Sequence, residues 1–348
     1  MSKVVYVGLS GGVDSSLTAA LLKKEGYNVV GVYMKNWTKD ILGYECPWKE
    51  DYQDAKRVAV NLGIPFKVFD FEKQYRRKVV DYMIRAYQEG LTPNPDIMCN
   101  QEIKFKLFLD TALNEGADLV ATGHYARIKN NHLMMAKDQN KDQTYFLYRM
   151  SQKALSKTLM PIGDYLKPEV RKLAQKYNLP TYNKKDSQGI CFVGEVGIKD
   201  FLISELGPQQ EGPIMDQNNK VVGKHEGAIF YTIGQRHGLN VSSGLPYYVT
   251  SKDIAKNIVY VTNKLDDQKL WSDQLNLEYF YQTYPNYKFD NKTIEVRIRH
   301  RAPLIKCQLE VVGSKAIIRL QDPLKAVSPG QSAVVYDRGY CIGGGIIV

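Results

Sequence analysis

The sequence predicts an α/β fold: a doubly wound parallel sheet, then a small mostly-β unit, then a C-terminal β-barrel. Three observations predict it. Apolar strand patterns alternate with helical patterns up to about residue 205. The rhythm breaks after "ELGPQQEGP" into short strands separated by turn dipeptides such as Asn218-Asn219. From about residue 270 to the end, the periodic segments repeat in steps of two. The expected units are therefore 1–205, 206–268 and 269–348.

Each element has its own signal. "KVVYVGL" is a short apolar strand, and "SSLTAALLKKEG" is a helix with Leu17, Ala20 and Leu21 on one face and Gly26 as its stop. "YNVVGVYM", "PFKVFDF" and "ADLVATG" are further strands. "DYQDAKRVAVNLG", "IKFKLFLDTALNEG" and "KPEVRKLAQKYNLP" are helices, the last with Pro168 in its first turn. In the second unit, "AIFYTIG" and "LPYYVTSKDIAKNIVYVT" are strand patterns. "TIEVRIRH", "IKCQLEVVG", "KAIIRLQDP", "SAVVYD" and "YCIGGGIIV" supply the barrel. There is no internal repeat and no low-complexity tract.

Composition narrows the function. With 348 residues, 44% of them hydrophobic, the chain can bury a sizeable core. Forty-seven Lys and Arg against 37 acids give a net charge of +10, an excess that suits a polyanionic partner. No apolar run reaches the roughly 18 residues of a membrane helix. The first strand starts by Val4, which leaves no room for a cleavable leader. Five cysteines (Cys46, Cys99, Cys191, Cys307 and Cys341) are odd in number and never in a CxxC pair, which argues against a disulfide framework and a zinc site. A reducing cytoplasm fits.

The stretch from Gly8 to Ser16, "GLSGGVDSS", joins the first strand to the first helix. Amides at a helix N-terminus carry partial positive charge, and glycines let main chain approach phosphate oxygens. Ser10, Ser15 and Ser16 add hydroxyls. The loop lacks the lysine of G-x-x-x-x-G-K-[ST], which serves the β and γ phosphates, so chemistry at the α phosphate is expected instead. Asp14, a carboxylate beside a polyanion, calls for Mg²⁺ between the two.

Two cysteines sit in settings of their own. In "TPNPDIMCNQEIKF", Cys99 precedes a helix that Asn100 would cap, and Asp96 lies three residues earlier as an acid or base. In "KKDSQGICFVGE", Cys191 is flanked by Gly189 and Gly194, with Lys184 and Lys185 nearby, as in a loop that carries a reactive group. Cys307 and Cys341 fall in strand patterns as packing residues, and Cys46 lies in "YECPW", a loop with no reading. In "TIEVRIRHRAP", Arg297, Arg299 and Arg301 would share one strand face and suit a phosphate backbone.

The loop string resembles the PP-loop of the ATP pyrophosphatases, enzymes of adenine nucleotide alpha-hydrolase-like fold that transfer AMP to an oxygen and release pyrophosphate. The resemblance implies Gly8, Leu9, Ser10, Gly11, Gly12, Val13, Asp14 and Ser15 as ATP contacts, with Met34 and Gly123 at the adenosine. Six motifs then occur in order: the PP-loop, N-P-D-x-x-C-N, T-G-H-Y, K-D-Q-T-Y-F-L, D-S-Q-G-I-C-F and I-G-Q-R-H-G-L. Together they resemble the tRNA-specific 2-thiouridylase family over essentially the whole chain. The resemblance implies that ATP adenylates the C2 oxygen of the wobble uridine in tRNA. Cys191 then carries sulfur as a persulfide received from a donor protein, a cysteine desulfurase or a relay protein. Cys99 resolves that persulfide, either by releasing sulfide or through a transient disulfide with Cys191, and Asp96 is acid or base. Asn94, Pro95 and Asp96 are implied contacts of the target base. Lys141, Asp142, Gln143, Arg299 and His300 are implied contacts of the tRNA. Two other readings stay open: a different PP-loop ligase, which needs no cysteine pair, and a non-catalytic ATP-responsive tRNA-binding protein.

Overall fold

The structure is a computed structural model that describes residues 2–185, 196–239, 241, 246–289 and 292–348. The Cys191 motif lies outside the described residues. The first part contains, in order, β1 (Val4–Gly8), β2 (Asn28–Lys35), β3 (Phe66–Asp70), β4 (Leu119–Ala121), β5 (Ala126–Lys129), β6 (His132–Met135) and β7 (Thr158–Leu159). Five of these form a parallel sheet in the order β3-β2-β1-β4-β7. The chain winds from β1 outward to β3, then returns to place β4 on the other side of β1. That reversal opens a crevice at the carboxyl ends of β1 and β4, where ligands bind in such sheets. The expected doubly wound fold is thus borne out.

Helices cover both faces. α1 (Val13–Lys24) is buried along most of its length, with Leu17 and Ala19 fully shielded. α2 (Trp48–Leu62) buries Ala55, Val58 and Ala59, an i, i+3, i+4 stripe, and stops at Gly63, whose φ of 58° is the left-handed cap glycine favours. A helical run over 72–88, absent from the sequence reading, packs Tyr75, Val79, Val80 and Met83 into the main core.

A second sheet, β8 (Gly212–Met215), β9 (Val221–His225), β10 (Tyr248–Asp253) and β11 (Ile258–Thr262), is ordered β10-β11-β8-β9 around its own core of Ile214, Val249, Val259 and Val261. The last part comprises β12 (Trp271–Tyr281), β13 (Ile294–Arg297), β14 (Ile305–Val312), β15 (Lys315–Lys325), β16 (Ser332–Asp337) and β17 (Tyr340–Ile347). They pair as β12-β15-β14-β13-β16-β17, and β12 also pairs with β17, closing the expected barrel.

The hairpin β5–β6 belongs to this barrel sheet rather than to the parallel one. β6 pairs with β17 at Met134 and Tyr340. Its turn is Asn130-Asn131, with φ of 51° and 60°, the positive values a two-residue hairpin turn needs. One hydrophobic core consequently joins Leu133 and Met135 to Val334, Tyr336 and Cys341.

Candidate active site

The phosphate loop leaves β1 at the centre of the crevice. Gly12 caps α1 without a side chain, so the amides of the first turn stay directed at the crevice. Ser15 Oγ lies 3.2 Å from both the Ser10 amide and the Ser10 hydroxyl, and it donates to the Gly12 carbonyl at 3.1 Å. These bonds curl the main chain into a fixed concavity. Gly11 has φ of 78°, and a Cβ there would lie 2.5 Å from the Asp51 carbonyl oxygen, so glycine is required on both counts.

The two implied adenosine contacts do reach this loop. The Met34 methyl stands 3.0 Å from where a Cβ of Gly8 would be. A Cβ on Gly123 would lie 2.6 Å from the Ser15 amide nitrogen, so the chain after β4 runs directly against the loop.

Asp14 has partners that the sequence reading missed. Its two carboxylate oxygens accept from Lys167 Nζ at 2.7 and 2.8 Å, and Oδ1 also accepts from the Tyr125 hydroxyl at 2.9 Å. Lys167 is the first residue of the helix Lys167–Lys176. A signal was present: a cation at the positive end of a helix is disfavoured unless an anion meets it.

The second cluster begins at Asn94. Its side chain accepts from the amides of Asp96 and Ile97, so it caps the helix that starts at Pro95. This corrects the expectation that Asn100 is the cap and that Cys99 precedes the helix. Cys99 instead sits one turn in, 3% exposed, where i→i+5 bonding begins and runs over Cys99–Phe108. Such π segments recur at functional sites. Pro95 fits the first helical position because its missing N–H would be an orphan there. The loop before Asn94 is pinned from outside: the Thr92 amide donates to the Pro329 carbonyl at 2.9 Å, and Gln331 Nε2 donates to the Thr92 carbonyl at 2.8 Å.

Burial raises the pKa of Asp96 above the usual carboxylate range, with the Lys104 ammonium pulling the other way. Lys104 Nζ lies 3.5 Å from His124 Nε2, and His124 Nδ1 lies 2.8 Å from Thr122 Oγ1. Burial and Lys104 together push the His124 pKa well down, so the ring is neutral. Lys104 and His124 therefore stand between the Cys99 cluster and Gly123 of the nucleotide crevice.

The residues expected to meet RNA divide. Asn100 Nδ2 donates to the Phe146 carbonyl at 3.2 Å, and the Phe146 ring packs on His300 with centroids 4.6 Å apart. His300 and the Lys141–Gln143 segment thus adjoin the Cys99 helix, and burial with Arg301, Arg297 and Lys141 brings the His300 pKa down to about 4. Asp142 is a correction. Its carboxylate is buried, accepting from the Ala136 amide at 2.9 Å and Thr144 Oγ1 at 2.7 Å, and it pairs with Arg297 at 3.2 Å. The three-arginine face is a second correction. β13 ends at Arg297, which points inward to Asp142. Arg299 donates to the Ala326 carbonyl at 2.7 Å, and Arg301 turns away at φ of 63°. A strand that stops after four residues cannot align side chains beyond its end. Arg299 remains exposed.

Cys46, Cys99, Cys307 and Cys341 are not joined in disulfides, and Cys307 and Cys341 are packing residues as expected. Among the described residues there is no cluster of three or more His, Cys, Asp or Glu suited to a metal, and no helix long and apolar enough to cross a membrane.

A phosphate-cradling loop on a parallel sheet, with a buried thiol and carboxyl on the adjoining helix, defines the chain as a thiol-bearing protein of the PP-loop class. Family comparison agrees domain by domain. Residues 3–195 match the tRNA methyl transferase HUP domain, 199–263 the tRNA methyl transferase PRC-barrel domain, and 272–347 the aminomethyltransferase beta-barrel domain. The tRNA-specific 2-thiouridylase MnmA of Streptococcus sanguinis is 45% identical over 353 residues, covering 99% of this chain and 94% of the relative. That of Streptococcus mutans is 45% identical over 355 residues, with the same coverage. The chain belongs to the tRNA-specific 2-thiouridylase family. A 4-thiouridine synthetase solved with RNA and ATP is similar at 15% identity and a TM-score of 0.37, covering 55% of this chain and 45% of that one.

Proposed function

We propose that the protein is an ATP-dependent tRNA sulfurtransferase that converts the C2 oxygen of the wobble uridine to sulfur. The observation that carries this reading is the placement of the Cys99 helix against the nucleotide crevice through Lys104 and His124. Uracil C2 is a poor electrophile while its leaving group is oxide. Transfer of AMP to O2, with pyrophosphate leaving, turns that oxygen into a phosphate ester. The persulfide on Cys191 then attacks C2, the C2–O bond breaks, and AMP departs. Attack by the Cys99 thiolate on the Cys191 sulfur would release the thiolated base and leave a disulfide, which an external thiol must reduce. Alternatively, Cys99 frees sulfide, which attacks C2 itself. Either way thiolate is the reactive form. Asp96, whose pKa burial raises against the pull of Lys104, serves as the acid or base beside the target base bound at Asn94 and Pro95.

The loop from Gly8 to Ser15 grips the phosphates, and Met34 and Gly123 take the adenosine. Mg²⁺ would be held by Asp14. Asp14 is half-buried and paired with Lys167, so it would take up Mg²⁺ only by giving up that ammonium, with phosphate oxygens and water completing the set. When bound, it neutralises phosphate charge. The implied partners are tRNA and a sulfur-donor protein, in a reducing cytoplasm that keeps the thiols available.

Mass spectrometry of wobble nucleosides in tRNA incubated with the protein, ATP, Mg²⁺ and a sulfur source should reveal 2-thiouridine, with AMP and pyrophosphate formed in equal amounts. AMP and pyrophosphate without thiolated base would favour another PP-loop ligase. Neither product would leave a tRNA-binding protein. For the RNA surface, replacing Lys141 and Arg299 together by alanine should reduce the slope of log affinity against log salt by about two units, roughly one per phosphate contact. An unchanged slope would remove this face from the interface.

A further inference from the structure

We propose that the turn Ile41–Tyr44 is the docking point for the protein that delivers sulfur to Cys191, a cysteine desulfurase bearing persulfide. The inference rests on the reading of Cys191 as the persulfide carrier.

The turn is unfavourable for the fold alone. Ile41 and Tyr44 form an antiparallel bridge, the Ile41 amide donating to the Tyr44 carbonyl at 3.1 Å and the Tyr44 amide to the Ile41 carbonyl at 2.9 Å. Between them Leu42 and Gly43 have φ of 46° and 84°. Positive φ at both central positions is the type I′ pattern, which favours Asn-Gly. A leucine there is strained, and at 57% exposure it recovers nothing by burial. Tyr44 beside it is 58% exposed. The base of the turn is fixed: Ile41 is buried in the main core, and the Cys46 amide donates to Asp40 Oδ1 at 2.9 Å. Two apolar side chains are thus held out toward solvent on a firm support.

Position is the second observation. Cys191 lies seven positions after Lys184 and five before Val196. Lys184 Nζ donates to Asp51 Oδ1 at 2.9 Å and to Asp54 Oδ2 at 2.6 Å, both on α2 just after the turn. On the other side, Phe201 meets Trp37 edge-on with centroids 6.0 Å apart, and Val196 packs against the core that holds Trp37 and Ile41. The two anchors bracket the loop that carries the turn. Five residues of chain reach no more than roughly 18 Å, so a donor that meets Cys191 does so in the neighbourhood of this loop.

Charge favours protein over RNA as the occupant. From Lys39 to Asp51 four acids, Asp40, Glu45, Glu50 and Asp51, stand against two lysines, in a chain whose net charge is +10. That local excess repels a phosphate backbone. An aromatic and an aliphatic side chain within a charged rim suit a protein surface. The transfer itself balances. The Cys191 thiolate attacks the outer sulfur of the donor's persulfide, the donor's S–S bond breaks with its inner sulfur leaving as thiolate, and a new S–S bond forms on Cys191. The proton stays on the transferred sulfur, and no oxidant is consumed.

The test follows protein-bound sulfur on the full-length chain from two sources: a cysteine desulfurase supplied with cysteine, and glutathione persulfide. Leu42→Asn and Tyr44→Thr together should slow loading from the desulfurase at least ~10-fold, as truncation of interface anchors does, while loading from glutathione persulfide stays within about twofold. The thermal midpoint should hold or rise, since Asn suits the turn better than Leu. Equal loading of variant and unaltered protein by the desulfurase overturns the assignment. So does an equal fall with both sources, which would give the turn to the Cys191 segment itself, and so does weakened tRNA binding, which would give it to RNA. Self-association of the unaltered protein that the variant lacks would give the turn to a second copy. Unaltered protein loaded by glutathione persulfide and not by the desulfurase has no such docking point. Unaltered protein that takes up sulfur from neither source would sink the Cys191 reading, and this assignment with it.

Discussion

Replacing Cys99 by serine should lower 2-thiouridine formation at least ~1000-fold, the scale on which loss of a reacting nucleophile is felt. Pyrophosphate release should persist as a single stoichiometric burst, because the adenylating loop is built from other elements. Sulfur loading on Cys191 should also persist. The substitution exchanges one atom at a site buried among Ile97, Ile103 and Phe105, so the fold should survive with the thermal midpoint little moved. Quantifying thiolated nucleoside, pyrophosphate and protein-bound sulfur in one reaction separates the steps. A serine variant that thiolates within tenfold of the unaltered protein would remove Cys99 from the chemistry. A parallel Cys191→Ser variant tests the other thiol: it should take up no protein-bound sulfur from the donor and form no 2-thiouridine, while pyrophosphate release persists.

Replacing Arg297 by alanine should cost about 3–5 kcal/mol of stability, the penalty for stranding a buried charge. Asp142 is fully buried and Arg297 is 7% exposed at the side chain, with the guanidinium also over the Tyr336 ring. The cost should vary with pH. Burial already raises the Asp142 pKa, and Arg297 opposes that rise. Without Arg297 the native carboxyl holds its proton to higher pH than the unfolded one, so stability falls as pH rises past the usual carboxylate range of about 4. The deficit should therefore shrink in acid, and Asp142→Asn in the same chain should recover much of it. Denaturant unfolding at two pH values checks both points. An Arg297→Ala protein as stable as the original at neutral pH would show that the pair contributes nothing.

What the sequence made legible was local. β1, the serine- and glycine-rich turn and α1 are contiguous, so their periods and cap residues sit side by side in the chain. Lys167 was not singled out, because its partner Asp14 lies 153 positions away in sequence. The hairpin β5–β6 was hidden because its four-residue strands acquire a partner, Tyr340, only about 200 residues later. The arginine face failed through extrapolation: alternation from Thr293 to Arg301 presumes one straight strand, and the ladder ends at Arg297. The reading of Asn100 as the cap overlooks Pro95, whose preference for the first helical position points to the residue before it, Asn94. Cys191 was legible as a motif, while its setting falls outside the described residues.

The hairpin has a consequence for how the chain is divided. After β4 the polypeptide leaves the parallel sheet, contributes two strands to the barrel sheet, and returns as β7. The barrel is therefore stitched into the catalytic unit at two places along the chain rather than hung from its end. A cut near residue 268 would not release a module. It would strip β6 of its neighbour and leave a bare strand edge, a template for aggregation. On the proposed function, the same stitching acts as a gauge. The distance from the surface that grips tRNA to the loop that grips phosphate is set by continuous strands and a shared core. A flexible linker would leave that distance free, and a single wobble base has to be presented at one depth.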